Sequence, residues 1–424
     1  MAVLGCIADD FTGAGDAASF LVKGGMSVRL YNGIPENLSP DSGLSDPADS
    51  PQAVVIALKS RTQETELAVS DSLRAARFLL DQGVRQIYFK YCSTFDSTPR
   101  GNIGPVADAL MELTKSPFTI LCPALPVNGR TVKDGKLMVN GVPLHESHMK
   151  DHPLTPMWDC RIDRLMAPQS RYLCRVTGPA DASRLPAESG SAAPCYLIPD
   201  YEKTEDGESI VSVFGHLPLL TGGSGLLEPL ARRWSKELSG DGKIPDSHTD
   251  GKAILLAGSC SMATLGQIAW YQKQGYPSFK LDPEAMLCGR QTTEDAWAFL
   301  KAHEQEGPVL IYSSDSPEKV REYQKLGADR VAALLENATA DLAVRAAKNG
   351  YTRIISAGGE TSGAVTKGLG FSSYWIGESV APGVPVMVPA EHPEIRLILK
   401  SGNFGQEDFF GRALAMTERK RKEE

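Results

Sequence analysis

The stretch Arg353-Ile354-Ile355-Ser356-Ala357-Gly358-Gly359-Glu360-Thr361-Ser362-Gly363 carries an apolar segment into paired glycines and then into a helix-like segment ending near Leu369. It reads as a strand, a glycine turn and a helix start. Glycines at 358 and 359 allow positive φ, so backbone N–H groups can line a concavity, and the following helix adds the positive end of its dipole. Such a turn can hold phosphate. Two familiar loops are excluded, since no Gly-Lys-Ser/Thr follows at Walker A spacing and Gly-x-Gly-x-x-Gly is absent. A plain capped strand-to-helix turn fits the same residues, and the segment alone leaves both readings open.

Working outward, the same alternation recurs. In the second half, Ala253–Ala257, Val309–Tyr312, Arg353–Ser356, Val384–Val388 and Ile395–Lys400 read as strands, with helices near Met262–Gln274, Thr292–Glu304 and Pro317–Asn349. In the first half, Val3–Ala8, Val54–Leu58, Gln86–Tyr91 and Phe118–Cys122 read as buried strands, with amphipathic helices at Thr65–Gln82 and Ile103–Lys115. This βαβ rhythm predicts mainly parallel sheets. At 424 residues the chain exceeds one core. Residues 39–51 read as a loose surface loop, and the aperiodic Gly, Ser, Asp and Pro of 237–252 mark a linker. The expected organisation is two α/β domains, 1–236 and 253–424, with an active site in the cleft between them.

Composition removes several function classes. No apolar run approaches the ~20 residues that span a bilayer, so a membrane protein is not expected. The N-terminus runs directly into a strand without a basic segment and apolar core, which predicts a cytoplasmic chain. Eight scattered cysteines without Cys-x-x-Cys argue against a zinc site or a disulfide framework. A net charge of −8 disfavours nucleic acid, and an anionic substrate would need local cations.

In an open parallel sheet the loops at strand carboxyl ends carry the chemistry. After the first strand, Asp9-Asp10-Phe11-Thr12-Gly13-Ala14-Gly15-Asp16 gathers three carboxylates before a helix. A carboxylate there can take a hydroxyl proton, as phosphoryl transfer requires, although Asp9 or Thr12 would also cap a helix starting near Gly13. After the third strand, Lys90-Tyr91-Cys92-Ser93-Thr94-Phe95-Asp96-Ser97-Thr98-Pro99-Arg100 packs two cations among hydroxyls and a carboxylate. Lys90 ends a buried strand, so its ammonium needs an anion: Asp96, Asp10 or a ligand carboxylate. Arg100 and Arg61 can grip a carboxylate bidentately, and the hydroxyls, Ser93 among them, suit a polyhydroxylated ligand.

Histidines at 145, 148 and 152 invite a metal reading. Pro153 and Pro156 argue for a loop, and no matching acidic set is close in sequence, so a surface or lid loop is the better reading. In the second half, Gly258-Ser259-Cys260-Ser261 and Lys400-Ser401-Gly402-Asn403 add two more glycine-bearing strand ends to Gly358–Gly363. Three such turns on one sheet edge suit a nucleotide. Glu360 would act through Mg²⁺ or favour the helix N-terminus rather than touch phosphate.

Four ordered motifs now stand together: Ile7-Ala8-Asp9-Asp10-Phe11-Thr12-Gly13-Ala14, Asp96-Ser97-Thr98-Pro99-Arg100-Gly101-Asn102-Ile103-Gly104, Gly358-Gly359-Glu360-Thr361-Ser362-Gly363 and Leu399-Lys400-Ser401-Gly402-Asn403-Phe404-Gly405. In them the chain resembles the four-carbon acid sugar kinase family over nearly its whole length. Lys90–Thr98, Asn128–Val132 and His152–Met157 resemble the branch that acts on 3-oxo-tetronate rather than the threonate or erythronate kinases. The resemblance implies an N-terminal sugar-acid domain, a C-terminal ATP domain, and transfer of phosphate to the substrate 4-hydroxyl with ATP and Mg²⁺. It puts Ser259, Gly358, Gly359, Glu360, Thr361, Ser362, Gly363 and Gly402 on the nucleotide side. Asp9, Asp10, Arg61, Lys90, Ser93, Asp96 and Arg100 fall on the acid-sugar side, with Asp10 the preferred base. Gly15 stands where the family commonly has Thr, so a hydroxyl contact there is not expected. A homodimer is compatible with this reading; metal-ligand identities are not assigned. A non-kinase sugar-acid enzyme would leave the glycine turns unemployed, and a sugar-acid sensor would not need Asp9 and Asp10 beside a phosphate cleft.

Overall fold

The computed structural model describes residues 2–35, 50–151, 155–177, 194–238 and 243–419. Residues 39–49 of the expected surface loop, 239–242 of the expected linker, and His152 with Pro153 lie outside them. The chain divides into two compact units, Met1–Ile244 and Pro245–Glu424.

The first unit carries β1 (Leu4–Ala8), β2 (Val28–Asn32), β3 (Ala53–Ala57), β4 (Gln86–Lys90) and β5 (Phe118–Cys122). A small antiparallel sheet of β6 (Arg130–Lys133), β7 (Lys136–Val139) and β8 (Val142–Pro143) follows, then β9 (Leu173–Thr177), β10 (Cys195–Pro199) and β11 (Leu219–Gly222). The main sheet runs β2-β3-β1-β4-β11-β5-β10-β9, and every pairing in it is parallel. β1, β3, β4 and β5 are buried at every residue, as parallel strands covered on both faces must be. The helices α1 (Phe11–Lys23), α2 (Thr65–Asp81) and α3 (Ile103–Leu113) follow β1, β3 and β4 in sequence. Because the chain passes from β3 to β4 across β1, the carboxyl ends of β1, β3 and β4 share one switch point.

The second unit repeats the device. Its strands are β12 (Lys252–Ala257), β13 (Ser278–Lys280), β14 (Val309–Tyr312), β15 (Tyr351–Ala357), β16 (Ser373–Ala381), β17 (Val384–Pro389) and β18 (Arg396–Lys400), ordered β13-β14-β12-β15-β18-β17-β16. The pairings from β13 to β18 are parallel, and β17 is antiparallel to both β18 and β16. The switch point falls between β12 and β15, whose loops hold Ser259 and Gly358. Ala253, Leu255, Ile355, Ile398, Tyr271, Phe409 and Phe410 form a core under this edge.

Several sequence expectations need correction. The single helix expected over Pro317–Asn349 is two, Pro317–Gln324 and Ala328–Lys348, broken where Gly327 takes φ 107°. β2, β9, β10, β11, β13 and β16 are strands that periodicity did not reveal. In β16 the polar Gly377-Glu378-Ser379 interrupts the apolar run, and the register with β17 shifts between Ile376 and Ser379. Helix α1 begins at Phe11 rather than near Gly13, and its cap is Asp10 rather than Asp9 or Thr12.

Candidate functional site

In the first unit, three strand ends bring the charged residues together. Asp9, next after β1, is buried and accepts two hydrogen bonds from Arg61, Nε to Oδ2 at 2.8 Å and a terminal nitrogen to Oδ1 at 2.8 Å. The same guanidinium lies 2.9 Å from Asp10 Oδ1 and 3.7 Å from Asp96 Oδ2. Arg61 is therefore the hub of three carboxylates, not a guanidinium held free for a substrate carboxylate, which corrects the sequence expectation. Burial opposes its charge, and Asp9 and Asp10 more than compensate, raising its pKa. Asn102 fixes the loop that presents it, donating to the Ser60 and Gln63 carbonyls at 2.8 and 2.7 Å. Asp9, Ser60, Arg61, Asp96, Ser97 and Asn102 line a cavity of about 10 Å³, room for one water.

Asp10 differs from its neighbours. Its Oδ1 caps α1, accepting the Gly13 N–H at 2.9 Å, and also meets Arg61. Among the described residues no hydrogen bond engages Oδ2, and the side chain is 33 % exposed. Burial raises its pKa, with Arg61 working against the rise and Asp9 adding to it. One oxygen is anchored and the other is available, the state a general base needs.

Lys90 does not pair with Asp96 or Asp10. It is 2 % exposed, donates to the Tyr91 carbonyl at 3.0 Å and lies 3.8 Å from Asp16 Oδ2. Asp16 also accepts the Ser224 hydroxyl, and burial raises its pKa against the pull of Lys90. Beyond Lys90 the backbone is strained: Phe95 and Asp96 take φ 62° and 29°, unusual for residues with side chains. Asp96 Oδ1 accepts from Thr155 at 3.2 Å. Ser93 is half-buried and Arg100 is exposed. A cation not singled out from sequence emerges in Arg130, the first residue of β6. It donates to the Asn128 carbonyl, has no acidic partner among the described residues, and has its pKa lowered by burial, with only Cys92 acting against this. Its position inside the quoted Asn128–Thr131 segment was the available signal.

In the second unit, the turns after β12, β15 and β18 touch. Gly258 N–H donates to the Ala357 carbonyl at 3.0 Å and Gly358 N–H to the Lys400 carbonyl at 2.9 Å. Side chains would not fit: a Cβ at Gly258 would overlap Thr361 Oγ1, one at Gly402 would overlap Ser259 Oγ, and one at Gly358 would lie 3.0 Å from Ser259 N. Only Gly358 of the paired glycines has positive φ, 132°; Gly359 already opens the helix Gly359–Leu369. A Cβ at Gly359 or Gly363 would meet nothing within 4 Å. The first-turn N–H groups of a helix have no partner within it, and here they adjoin a glycine turn. Glu360 is exposed at the same turn. Thr361 and Ser362, expected at the nucleotide, are buried, and the Ser362 hydroxyl donates to Ser356 Oγ at 3.2 Å. Their side chains belong to the sheet edge, which leaves main-chain N–H groups for a ligand.

Lys400 was quoted in a motif but given no role. Its ammonium, 1 % exposed, donates to Thr264 Oγ1 at 2.9 Å, to the Gly402 carbonyl at 3.0 Å and to the Ser401 carbonyl at 3.2 Å. Ser261 and Thr264 donate to the same Gly402 carbonyl at 2.6 and 2.9 Å. Among the described residues no carboxylate pairs with it, and burial lowers its pKa to about 7. A lysine closing the apolar run Arg396–Lys400 was the same signal that drew attention to Lys90.

Comparison with known proteins divides the chain at a similar place. A family model described as a sugar-binding N-terminal domain matches residues 4–230, and one described as a nucleotide-binding C-terminal domain matches residues 254–410. The 3-oxo-tetronate kinase of Pseudomonas fluorescens is 45 % identical over 97 % of this chain and 96 % of its own length. The 3-oxo-tetronate kinase of Haemophilus influenzae is 41 % identical over 98 % of this chain and 100 % of its own length. Among solved structures, a Salmonella typhimurium protein bearing a provisional tRNA synthase label superposes with TM-score 0.87 at 39 % identity, covering 99 % of this chain and 100 % of that one. A Haemophilus influenzae protein superposes with TM-score 0.81 at 40 % identity, covering 97 % and 99 %.

Proposed function

The chain belongs to the four-carbon acid sugar kinase family, and from that premise we propose that it transfers the γ-phosphate of ATP to the 4-hydroxyl of 3-oxo-tetronate. The observation that carries the proposal is Asp10, with one carboxylate oxygen anchored by the helix cap and Arg61 and the other unengaged. Relatives named 3-oxo-tetronate kinase across nearly the full length support the substrate.

Asp10 Oδ2 accepts the proton of the attacking hydroxyl, and its raised pKa brings its basicity nearer to the task. Arg61 is a positioning residue that sets the angle of Asp9 and Asp10. Arg130, a half-buried guanidinium without an acidic partner among the described residues, orients the C1 carboxylate, and Ser93 and Arg100, in the loop after β4, assist it. Lys90 acts through Asp16 to hold the base of the site rather than by touching the acid. On the nucleotide side, Ser259, Gly358, Gly359, Gly363 and Gly402 form the phosphate cradle, and Lys400 supplies positive charge beneath it. Mg²⁺ would neutralise phosphate charge during transfer. Glu360, the exposed carboxylate at that turn, fits an ion that takes one or two carboxylates beside phosphate oxygens and water.

The reading places the enzyme in the cytoplasm, where ATP is available and thiols stay reduced; all eight cysteines are unpaired. No helix among the described residues is long and apolar enough to cross a membrane. The test is ADP release with ATP, Mg²⁺ and a panel of D- and L-threonate, D-erythronate and both 3-oxo-tetronates. Turnover confined to 3-oxo-tetronate is expected. Turnover on threonate or erythronate alone would replace the substrate, and silence on every acid with ATP still bound would remove the kinase reading.

A further inference from the structure

The histidine-rich segment plays no part in the reaction above, yet one of its members finds partners that sequence spacing concealed. His145 lies in the short turn Leu144–Glu146 after β8, while Asp159 and Cys160 precede the short helix Ile162–Met166. The hairpin brings them together. The Leu137 N–H of β7 donates to the Cys160 carbonyl at 2.7 Å, and the Ile162 N–H donates to the Gly135 carbonyl at 2.9 Å, so residues 160–162 run along the small sheet. β8 pairs with the same central strand and delivers His145 from the other direction. The candidate ligand atoms of His145, Asp159 and Cys160 all lie within 4.8 Å of one another.

We propose that His145, Asp159 and Cys160 form a binding site for a thiophilic divalent transition ion of the Zn²⁺ class, separate from the Mg²⁺ that accompanies ATP. Nδ1 of His145 is buried and has no hydrogen-bond partner, while Nε2 lies 3.6 Å from Glu146 Oε1. Nδ1 is thus the ring nitrogen left for an ion among the described residues, with the Glu146 carboxylate near the opposite nitrogen. Asp159 is already positioned, its Oδ1 accepting the Cys160 and Arg161 N–H groups at 2.7 and 2.9 Å, and its Oδ2 lies 3.3 Å from the exposed Arg164. Burial works against its charge, but the Arg161 N–H and Arg164 keep its pKa below the ordinary value, so it is ionised. Cys160 is buried, and burial followed by the Asp159 charge raises its thiol pKa. Metal binding would release the thiol proton to solvent and form a metal–thiolate bond. One nitrogen, one sulfur and one oxygen select a borderline-soft ion over Mg²⁺, which wants an oxygen shell; water completes a tetrahedron. The ion would tie the three-stranded sheet to the segment entering Ile162–Met166.

The proposal is independent of the kinase reading and is tested without activity. Chelator-treated, reduced full-length protein is titrated with Co²⁺, followed by Zn²⁺. The expected result is one Co²⁺ per chain with a thiolate-to-metal charge-transfer band and tetrahedral d–d bands, displaced by Zn²⁺, and lost in C160S and in H145Q. H145Q guards against misfolding at the buried cysteine, since His145 is partly exposed. C288S, which removes the exposed thiol, should leave the bands intact. Absence of a thiolate band in the wild type, its persistence in folded C160S or H145Q, or its loss in C288S alone would overturn the site.

Discussion

Two buried lysines close two buried strands, and their surroundings differ. Lys90, at the end of β4, sits 3.8 Å from the buried carboxylate of Asp16, within a loop cluster that also holds Asp9, Asp10, Asp96 and Arg61. Lys400, at the end of β18, meets a hydroxyl, two carbonyls and the face of the Phe409 ring, with no carboxylate partner among the described residues. The first site carries its own counter-charges, which hold the Asp10 carboxylate by one oxygen. The second is built from backbone and absent side chains, with a cation whose charge is disfavoured until an anion arrives. An acceptor site must present a base, whereas a phosphate site must present N–H groups and positive charge, and each arrangement suits its task.

The largest effect should come from the charged site. Asp10→Asn keeps the helix cap through its amide oxygen but removes the proton acceptor, so kcat should fall roughly 100- to 10,000-fold while ATP affinity, measured by calorimetry, stays unchanged. Unchanged turnover would remove Asp10 as the base. The opposite signature belongs to the glycine site. Gly402→Val would push a side chain into Ser259 Oγ, and ATP affinity should fall about 100-fold, the order expected for steric disruption of a packed turn, with the acid site intact. If both variants lost both functions, the contrast between the two sites would fail.

A smaller effect sharpens the acid side. Arg130→Met should raise the KM for the four-carbon acid by roughly 10- to 100-fold, the worth of one charge-assisted contact, and leave the KM for ATP alone. An equal rise for Arg61→Met in KM only, with kcat preserved, would reverse the roles given to the two arginines.

Lys400 sets a pH dependence whose sign can be worked out. Its ordinary pKa of 10.5 is lowered to about 7 in the folded chain, so between those values the unfolded chain binds the extra proton and stability rises with pH. The slope is at most about 1.4 kcal/mol per pH unit, and Lys400→Met should flatten it in denaturant titrations at pH 7 to 10. Phosphate restores the ammonium. Binding of Mg²⁺ and ATP at pH 8 should therefore take up about one proton per chain, read from calorimetry in buffers of different ionisation enthalpy, and the uptake should vanish in Lys400→Met. Gly359→Ala should do least. Its Cβ meets open space and its φ is helical, so stability should change by less than about 0.5 kcal/mol and ATP affinity by little, in contrast to Gly358.

Much of this was legible before folding was considered. Continuous apolar runs located β1, β3, β4 and β5, and glycine turns after strands located the nucleotide-type edge, because parallel strands and close backbone approach leave compositional traces. The failures have a common cause. β16 hides its pattern behind polar Gly377-Glu378-Ser379, since its stability comes from pairing with β17. Asp16 was counted among the carboxylates after the first strand, but only packing places it beside Lys90. Arg130 lay in a quoted motif, but its lack of a partner is a property of its surroundings.

The sequence by itself determined the βαβ order, the strand ends that gather charged residues and glycine turns, and the family, because these depend on local pattern and residue type along the chain. Tertiary structure alone decided which charge meets which: Arg61 against Asp9 and Asp10, Lys90 against Asp16, Lys400 against no carboxylate, and His145 beside Cys160. Electrostatic partnership depends on distance and burial, and residues far apart in the chain acquire both only when the strands are laid side by side.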